Sequence, residues 1–287
     1  MGRGNGGVFL CAAAAILFGI VPSMLKYLLL SGLSLTSTLI CPNLLLFFGT
    51  LCLCLARGHC LRMPLTRRLC LALTGLLGQG CTNLLLSSSY IHIPVSTATT
   101  IHFLYPTVVT LASMALLRRR GTLASMAAIV LSIAGMICIS SSEAVSGGHW
   151  TGYVLAGLSS LTYAFYLIGS ERFAPPGTPI PVLMLHFAAG ALLTALLWIL
   201  SGHPATFPTT LPLWGLYIGS GMMISLGLGL LNMGISKVGA VSASFATLIE
   251  PVTAVICGVL VYGDPLTLLS VLGFALILAS VWLNTAR

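Results

Sequence analysis

Glu250 is the residue of this chain best placed to do chemistry. It lies about eleven residues into an apolar run and immediately before Pro251, so its carboxyl is carried to a depth where water is scarce. An ionisable side chain at the centre of a membrane helix costs at least about 2.5–3.5 kcal/mol, which makes it a functional candidate by default. A carboxyl there can carry a proton, or it can pair with a base for purely structural ends. The bases on offer are His102, about eight residues into another apolar run, and Lys26, nearer the far end of the first. Lys26 can also snorkel to water, and His102 stands without the accompanying ligands that a metal site needs.

Three tyrosines complete the set. Tyr163 and Tyr166 are three apart and share a helical face, and Tyr105 adjoins Pro106. A buried phenol needs a hydrogen-bond partner, so a wet cavity suits all three. Lys26, His102, Tyr105, Tyr163, Tyr166 and Glu250 are therefore the candidate lining of a cavity for a small solute, with Glu250 as the candidate proton-coupling group. Gln79, Asn83 and Asn43 are polar residues within apolar runs whose simplest use is hydrogen bonding between helices. No HExxH, paired membrane aspartates or Ser–His constellation supports an intramembrane enzyme, and no catalytic residue, cofactor or metal ligand is assigned. The nine cysteines show neither disulfide nor zinc spacing.

The elements that must position these groups follow from composition. Hydrophobic residues make up 57% of the chain and charged ones 6%, against about 25% charged in soluble domains. A spanning helix needs about 20 mostly apolar residues. Ten such runs occur, at roughly 7–29, 34–56, 69–90, 94–117, 123–141, 150–170, 182–201, 212–235, 239–262 and 266–284, with the junction near Lys237 the least marked. The expected fold is an all-α integral membrane protein of ten transmembrane helices.

Charge placement supports that count. Ten spans put Arg3, Arg57, Arg62, Arg67, Arg68, Arg118, Arg119, Arg120, Arg172, Lys237 and Arg287 on one face and no Lys or Arg on the other. By the positive-inside rule both termini are cytoplasmic. The net charge of +8 is thus a topology signal, and nucleic acid is not an expected partner. The first apolar run is too long for a cleaved secretory signal. Trp150 and Trp214 stand at span ends, where an aromatic belt is expected.

Residues 97–123 return as residues 242–268, 145 positions later and without a gap. Pro106 falls on Pro251, Thr122 on Thr267 and Ser125 on Ser270. Five spans per half is an odd number, so the second half crosses the membrane in the opposite sense. The expectation is two inverted five-helix repeats, residues 1–142 and 150–287, with a site near the midplane between them and access that alternates. Pro106 and Pro251 read as paired mid-span kinks or hinges, because proline removes a donor and crowds the preceding turn. Within this repeat the halves differ: Glu250 falls opposite Tyr105, and Asp264 opposite Arg119.

Nearly the whole chain resembles the drug/metabolite transporter superfamily, in its ten-helix form with two EamA domains. The resemblance rests on Glu250-Pro251, the turn Gly263-Asp264, Thr267 and Gly273 in the second half, on Phe18-Gly19 and Lys26 in the first, and on the run from Ser159 to Ala164 before Arg172. The chain departs from the family pattern at Asp264 in place of Glu, at Arg118–Arg120 where an acid is usual, and at Asn43 near a position often held by Arg. The resemblance implies secondary transport, usually export, of small metabolites such as amino acids or their analogues, in a plasma membrane such as the bacterial inner membrane. Protons are a further candidate partner, and a monomer or homodimer is expected. The alternative is a passive facilitator or channel for small solutes.

Overall fold

A computed structural model describes residues 3–59, 63–93, 95–116, 122–140, 149–175, 177–262 and 267–285. Arg118–Arg120, Asp264 and the segment 141–148 lie outside the described residues, as does the side chain of Lys26. Helices in chain order are α1 (Arg3–Leu30), α2 (Leu35–Ala56), α3 (Leu65–Ser89), α4 (Val95–His102), α5 (Tyr105–Leu116) and α6 (Leu123–Ser140). They continue as α7 (Trp150–Arg172), α8 (Ile180–Leu200), α9 (Leu211–Ala246), α10 (Ile249–Cys257) and α11 (Leu268–Thr285). Strands are absent among the described residues.

Six helices, α1, α2, α3, α7, α8 and α9, are each long and apolar enough to cross a membrane. The other four spans are built differently. The fifth and tenth are α6 and α11, of 18 residues each. The fourth is α4 followed by α5, interrupted at Phe103 and Leu104. The ninth starts inside α9, breaks at Thr247 and Leu248, and resumes as α10 with a π-helical end, Gly258–Tyr262. The indistinct junction near Lys237 has a physical reason: helix runs to either side of Gly239, whose φ of 78° and ψ of 168° turn the chain between the eighth and ninth spans. That region of backbone space is essentially open to glycine alone. The first free N–H after the turn, at Ala240, donates to Glu171 Oε2 of α7 at 2.7 Å.

The duplicated hydroxyls are helix caps. Thr122 Oγ1 accepts from the Ser125 N–H at 3.2 Å, and the two hydroxyls lie 3.0 Å apart. Thr267 and Ser270 repeat this at 3.1 and 2.9 Å. Each cap satisfies one of the orphan donors of its helix. Thr122→Ala and Thr267→Ala are each expected to cost about 1 kcal/mol, additively in the double variant, as a stepwise fall in the detergent melting midpoint.

The duplicated prolines sit elsewhere than expected. Pro106 and Pro251 stand in the first turn of α5 and α10, just beyond the two breaks, rather than inside continuous helices. Proline is tolerated in a first turn because the missing N–H has no partner there anyway. Each span is therefore interrupted at a helix end, the two interruptions lying one residue out of register in the repeat, with the proline just inside the next segment.

Glycines bring the remaining helices into backbone contact. A Cβ on Gly75 of α3 would collide with the Phe187 carbonyl of α8, and one on Gly190 of α8 with the Ala72 carbonyl of α3. The same part of α3 winds as a π-helix over Thr74–Gly80, and Thr194 Oγ1 of α8 donates to its Leu76 carbonyl at 3.0 Å. On the other side α1 packs along α9 with Cys11 against Gly234 and Phe18 against Gly227, partners that recur every seven residues on both helices. In lipid, where no hydrophobic force separates protein from solvent, close approach of this kind carries much of the packing energy.

Candidate functional site

The first broken span packs against α7 with both its segments, and the second, through α10, packs against α1. His102 ends α4 and is buried; its Nδ1 lies 3.0 Å from Ser159 Oγ on α7. That hydroxyl already donates to the Ala156 carbonyl at 2.7 Å, so Oγ accepts and His102 Nδ1 carries the proton. Tyr105 opens α5 and is fully buried, with its hydroxyl 2.8 Å from Thr247 Oγ1. Thr247 lies at the break of the other broken span, so one hydrogen bond joins the two interruptions. It closes the duplication on itself, because Thr247 falls opposite His102 in the repeat and Glu250 opposite Tyr105.

An aromatic stripe runs along α7 from this point. The Tyr163 ring lies 4.7 Å from that of Tyr105, edge to face, and 5.4 Å from His102. Tyr163 and Tyr166 stack at 6.0 Å and 14°, as their spacing of three predicts, and Tyr166 meets Phe187 of α8 at 5.4 Å. Such offset and edge-to-face pairs add about 0.5–1.5 kcal/mol each beyond buried area. Glu250 is half-buried in the first turn of α10 and lies within Coulombic reach of Tyr90, Tyr105 and Tyr163. Against that turn packs Gly19 of α1, where a Cβ would come 2.6 Å from the Glu250 carbonyl oxygen.

Five of the six residues singled out by their chemistry, His102, Tyr105, Tyr163, Tyr166 and Glu250, thus share one neighbourhood. Lys26 belongs to α1, and its side chain lies outside the described residues. Gln79 Nε2 donates to Asn43 Oδ1 at 2.7 Å, an interhelical pair between α3 and α2. Three further residues of this neighbourhood are not singled out as cavity candidates by the sequence, Ser159 entering only through the run that carries the family resemblance. Ser159 and Thr247 are hydroxyls of a kind that occurs throughout the apolar runs, and Asn232 of α9 donates Nδ2 to the Tyr166 hydroxyl at 2.6 Å. A lone amide inside an apolar run was the only available clue to Asn232.

Tyr105→Phe removes one partner of the bond between the breaks and leaves Thr247 bonded to its own helix, at 3.1 Å to the Ala243 carbonyl. The expected cost is about 1 kcal/mol, with a larger change in transport than in melting temperature if the bond serves the moving parts.

Comparison with known proteins fits this architecture. The model of the EamA-like transporter family matches residues 5–141 and again 150–286. The biotin transporter of Escherichia coli (strain K12) is 28% identical over 172 residues, and so is that of Escherichia coli O157:H7. Each match covers 58% of this chain and 57% of the relative, so the alignment spans little more than half the length of these curated proteins. A crystal structure described simply as that of a protein superposes with a TM-score of 0.84 at 19% identity, over 98% of this chain and 97% of that one, and shows the same fold. Two family matches in a common register, on halves that repeat each other's caps and breaks, make this chain a member of the EamA-like transporter family, a multi-pass membrane protein.

Proposed function

We propose that the chain is a secondary transporter that exports small organic metabolites, amino acids or their analogues, by alternating access between residues 1–142 and 150–287. The observation that supports this most directly is the Tyr105–Thr247 hydrogen bond, which ties the interrupted span of one repeat to that of the other beside the aromatic stripe. Interrupted spans facing each other across a repeat interface place backbone and side-chain polarity at membrane depth, where a substrate can use it. His102, Tyr105, Tyr163, Tyr166, Glu250 and Lys26 line the cavity in this reading, and Pro106 and Pro251 mark where the spans flex. Glu250 exchanges a proton with each cycle. The arginine-free face is external, the membrane is the plasma membrane, and both termini are cytoplasmic.

The test is counterflow in proteoliposomes. Vesicles loaded with unlabelled amino acids, with their analogues or, because of the named relatives, with biotin are diluted into labelled solute. A carrier accumulates label transiently above equilibrium, whereas a passive channel only equilibrates it. If no solute of the panel shows the overshoot, export of such metabolites is excluded; if label merely equilibrates without saturation, the facilitator reading replaces it.

A further inference from the structure

Asn232 lies beside the aromatic stripe with 1% of its surface exposed. Its orientation is settled by its neighbours. The Nδ2 group donates both to the Tyr166 hydroxyl at 2.6 Å and to the Leu228 carbonyl at 2.9 Å, and a carbonyl can only accept. Turning the amide over would set two oxygens against each other. Oδ1 is therefore an acceptor, and it has no hydrogen-bond partner among the described residues. Most buried polar side-chain atoms are paired, and one that is not calls for an explanation.

The helix itself offers none. Ser244 and Thr110 return their hydroxyls to carbonyls three or four residues earlier, whereas Ser113, Ser160 and Ser170 have no hydrogen-bond partner among the described residues. Asn232 returns its nitrogen to the Leu228 carbonyl in the first way and is left with an oxygen that its own helix cannot serve. The phenol next to it leads through Tyr166 to the Tyr163 ring at 6.0 Å and on to Tyr105. Asn232 is thus joined through its Nδ2 to the aromatic side chains of the candidate site.

We propose that Asn232 orients the substrate: Oδ1 accepts a hydrogen bond from an N–H of a neutral, planar group such as an amide, lactam or cyclic urea, whose face lies against Tyr163 and Tyr166. This rests on the reading of the aromatic stripe as the substrate site. It also gives the closed bundle a reason to open. An unmet buried acceptor is a penalty carried by the sealed conformation and relieved by a donor that enters as the halves part. A ligand shifts a conformational equilibrium only through such a difference between states. Solutes with N–H donors accordingly bind and drive the cycle, and equally flat solutes without them do not.

The test uses purified protein in lipid nanodiscs and saturation-transfer NMR, with imidazolidin-2-one as the donor-bearing probe and its N,N′-dimethyl derivative as the donor-free one. Wild type is expected to prefer the donor-bearing probe by about tenfold, the value of one buried hydrogen bond. Asn232→Leu should erase the preference, and so should Asn232→Ala, which removes the acceptor without adding bulk. Tyr163→Ala should weaken both probes together. Equal binding of the two probes to wild type, no binding of either, or a preference that survives Asn232→Leu overturns the assignment of Asn232. If Tyr163→Ala leaves both probes unchanged, the aromatic stripe itself is not the site. Should Asn232→Leu fail to give monodisperse protein, Asn232→Ala read with the same probe pair decides the question.

Discussion

Glu250→Gln is expected to transport at about a tenth of the wild-type rate or less, a loss worth about 1.4 kcal/mol in the rate-limiting step, and to lose its response to an imposed pH gradient. Glutamine keeps the shape and the hydrogen-bonding ends of the side chain and gives up only the exchangeable acid proton. Any structural part that Glu250 plays, beside the Gly19 contact or within reach of Tyr105 and Tyr163, is largely kept. The measurement is solute flux in proteoliposomes with the internal pH clamped and the external pH varied. In an antiport that exchanges protons for solute, wild-type flux against the solute gradient rises as the proton gradient steepens, and the variant's does not. A variant that keeps wild-type rate and pH response shows that Glu250 carries no proton and that coupling must be sought elsewhere.

Gly75→Ala or Gly190→Ala should do the greatest damage to folding. At both positions the added methyl meets a backbone carbonyl of the facing helix, and that oxygen cannot swing aside as a side-chain end can. Overpacking in ordinary cores costs about 1–3 kcal/mol. A clash of backbone with backbone, across the π-helical stretch of α3 and its Thr194 clasp, should cost about 3 kcal/mol or more. The expected result is aggregation, or a melting transition too low to measure, on size exclusion in detergent. Gly157 of α7 is the control. A Cβ there meets nothing within 4 Å, so Gly157→Ala should be neutral or gain up to about 1 kcal/mol from better helix propensity. Equal tolerance of all three substitutions would show that α3 and α8 are not held by backbone contact.

The ten spans were legible because lipid imposes a length and a composition on every crossing segment. The repeat was legible because Thr122, Ser125, Pro106 and their partners are rare matches in an apolar background. Their purposes were not equally plain. A hydroxyl followed three residues later by another can cap a helix, and both pairs do. A proline deep in an apolar run suggests a kinked helix, whereas the chain stops at Phe103–Leu104 and at Thr247–Leu248 and starts again. No Gly or Asn marks those interruptions, so local sequence could not separate a bend from a break. At the site, Tyr163 and Tyr166 disclosed their shared face through spacing alone. Asn232, Ser159 and Thr247 did not, since what singles them out is the side chain opposite each one, a property of the folded bundle rather than of any stretch of sequence.

The paired caps carry a consequence for life in two solutions at once. In the inverted topology proposed above, the helices opened by Thr122 and Thr267 enter the bilayer from opposite faces, one on each side of the membrane. Aspartate caps a helix as well as a hydroxyl does, but its charge follows the acidity of whichever side it meets, and it feels the membrane potential. Threonine is indifferent to both. A unit that is used both ways up in the proposed topology thus closes its helix ends with groups that respond the same on either side, while Glu250, proposed above to exchange a proton, has no acidic counterpart in the other half.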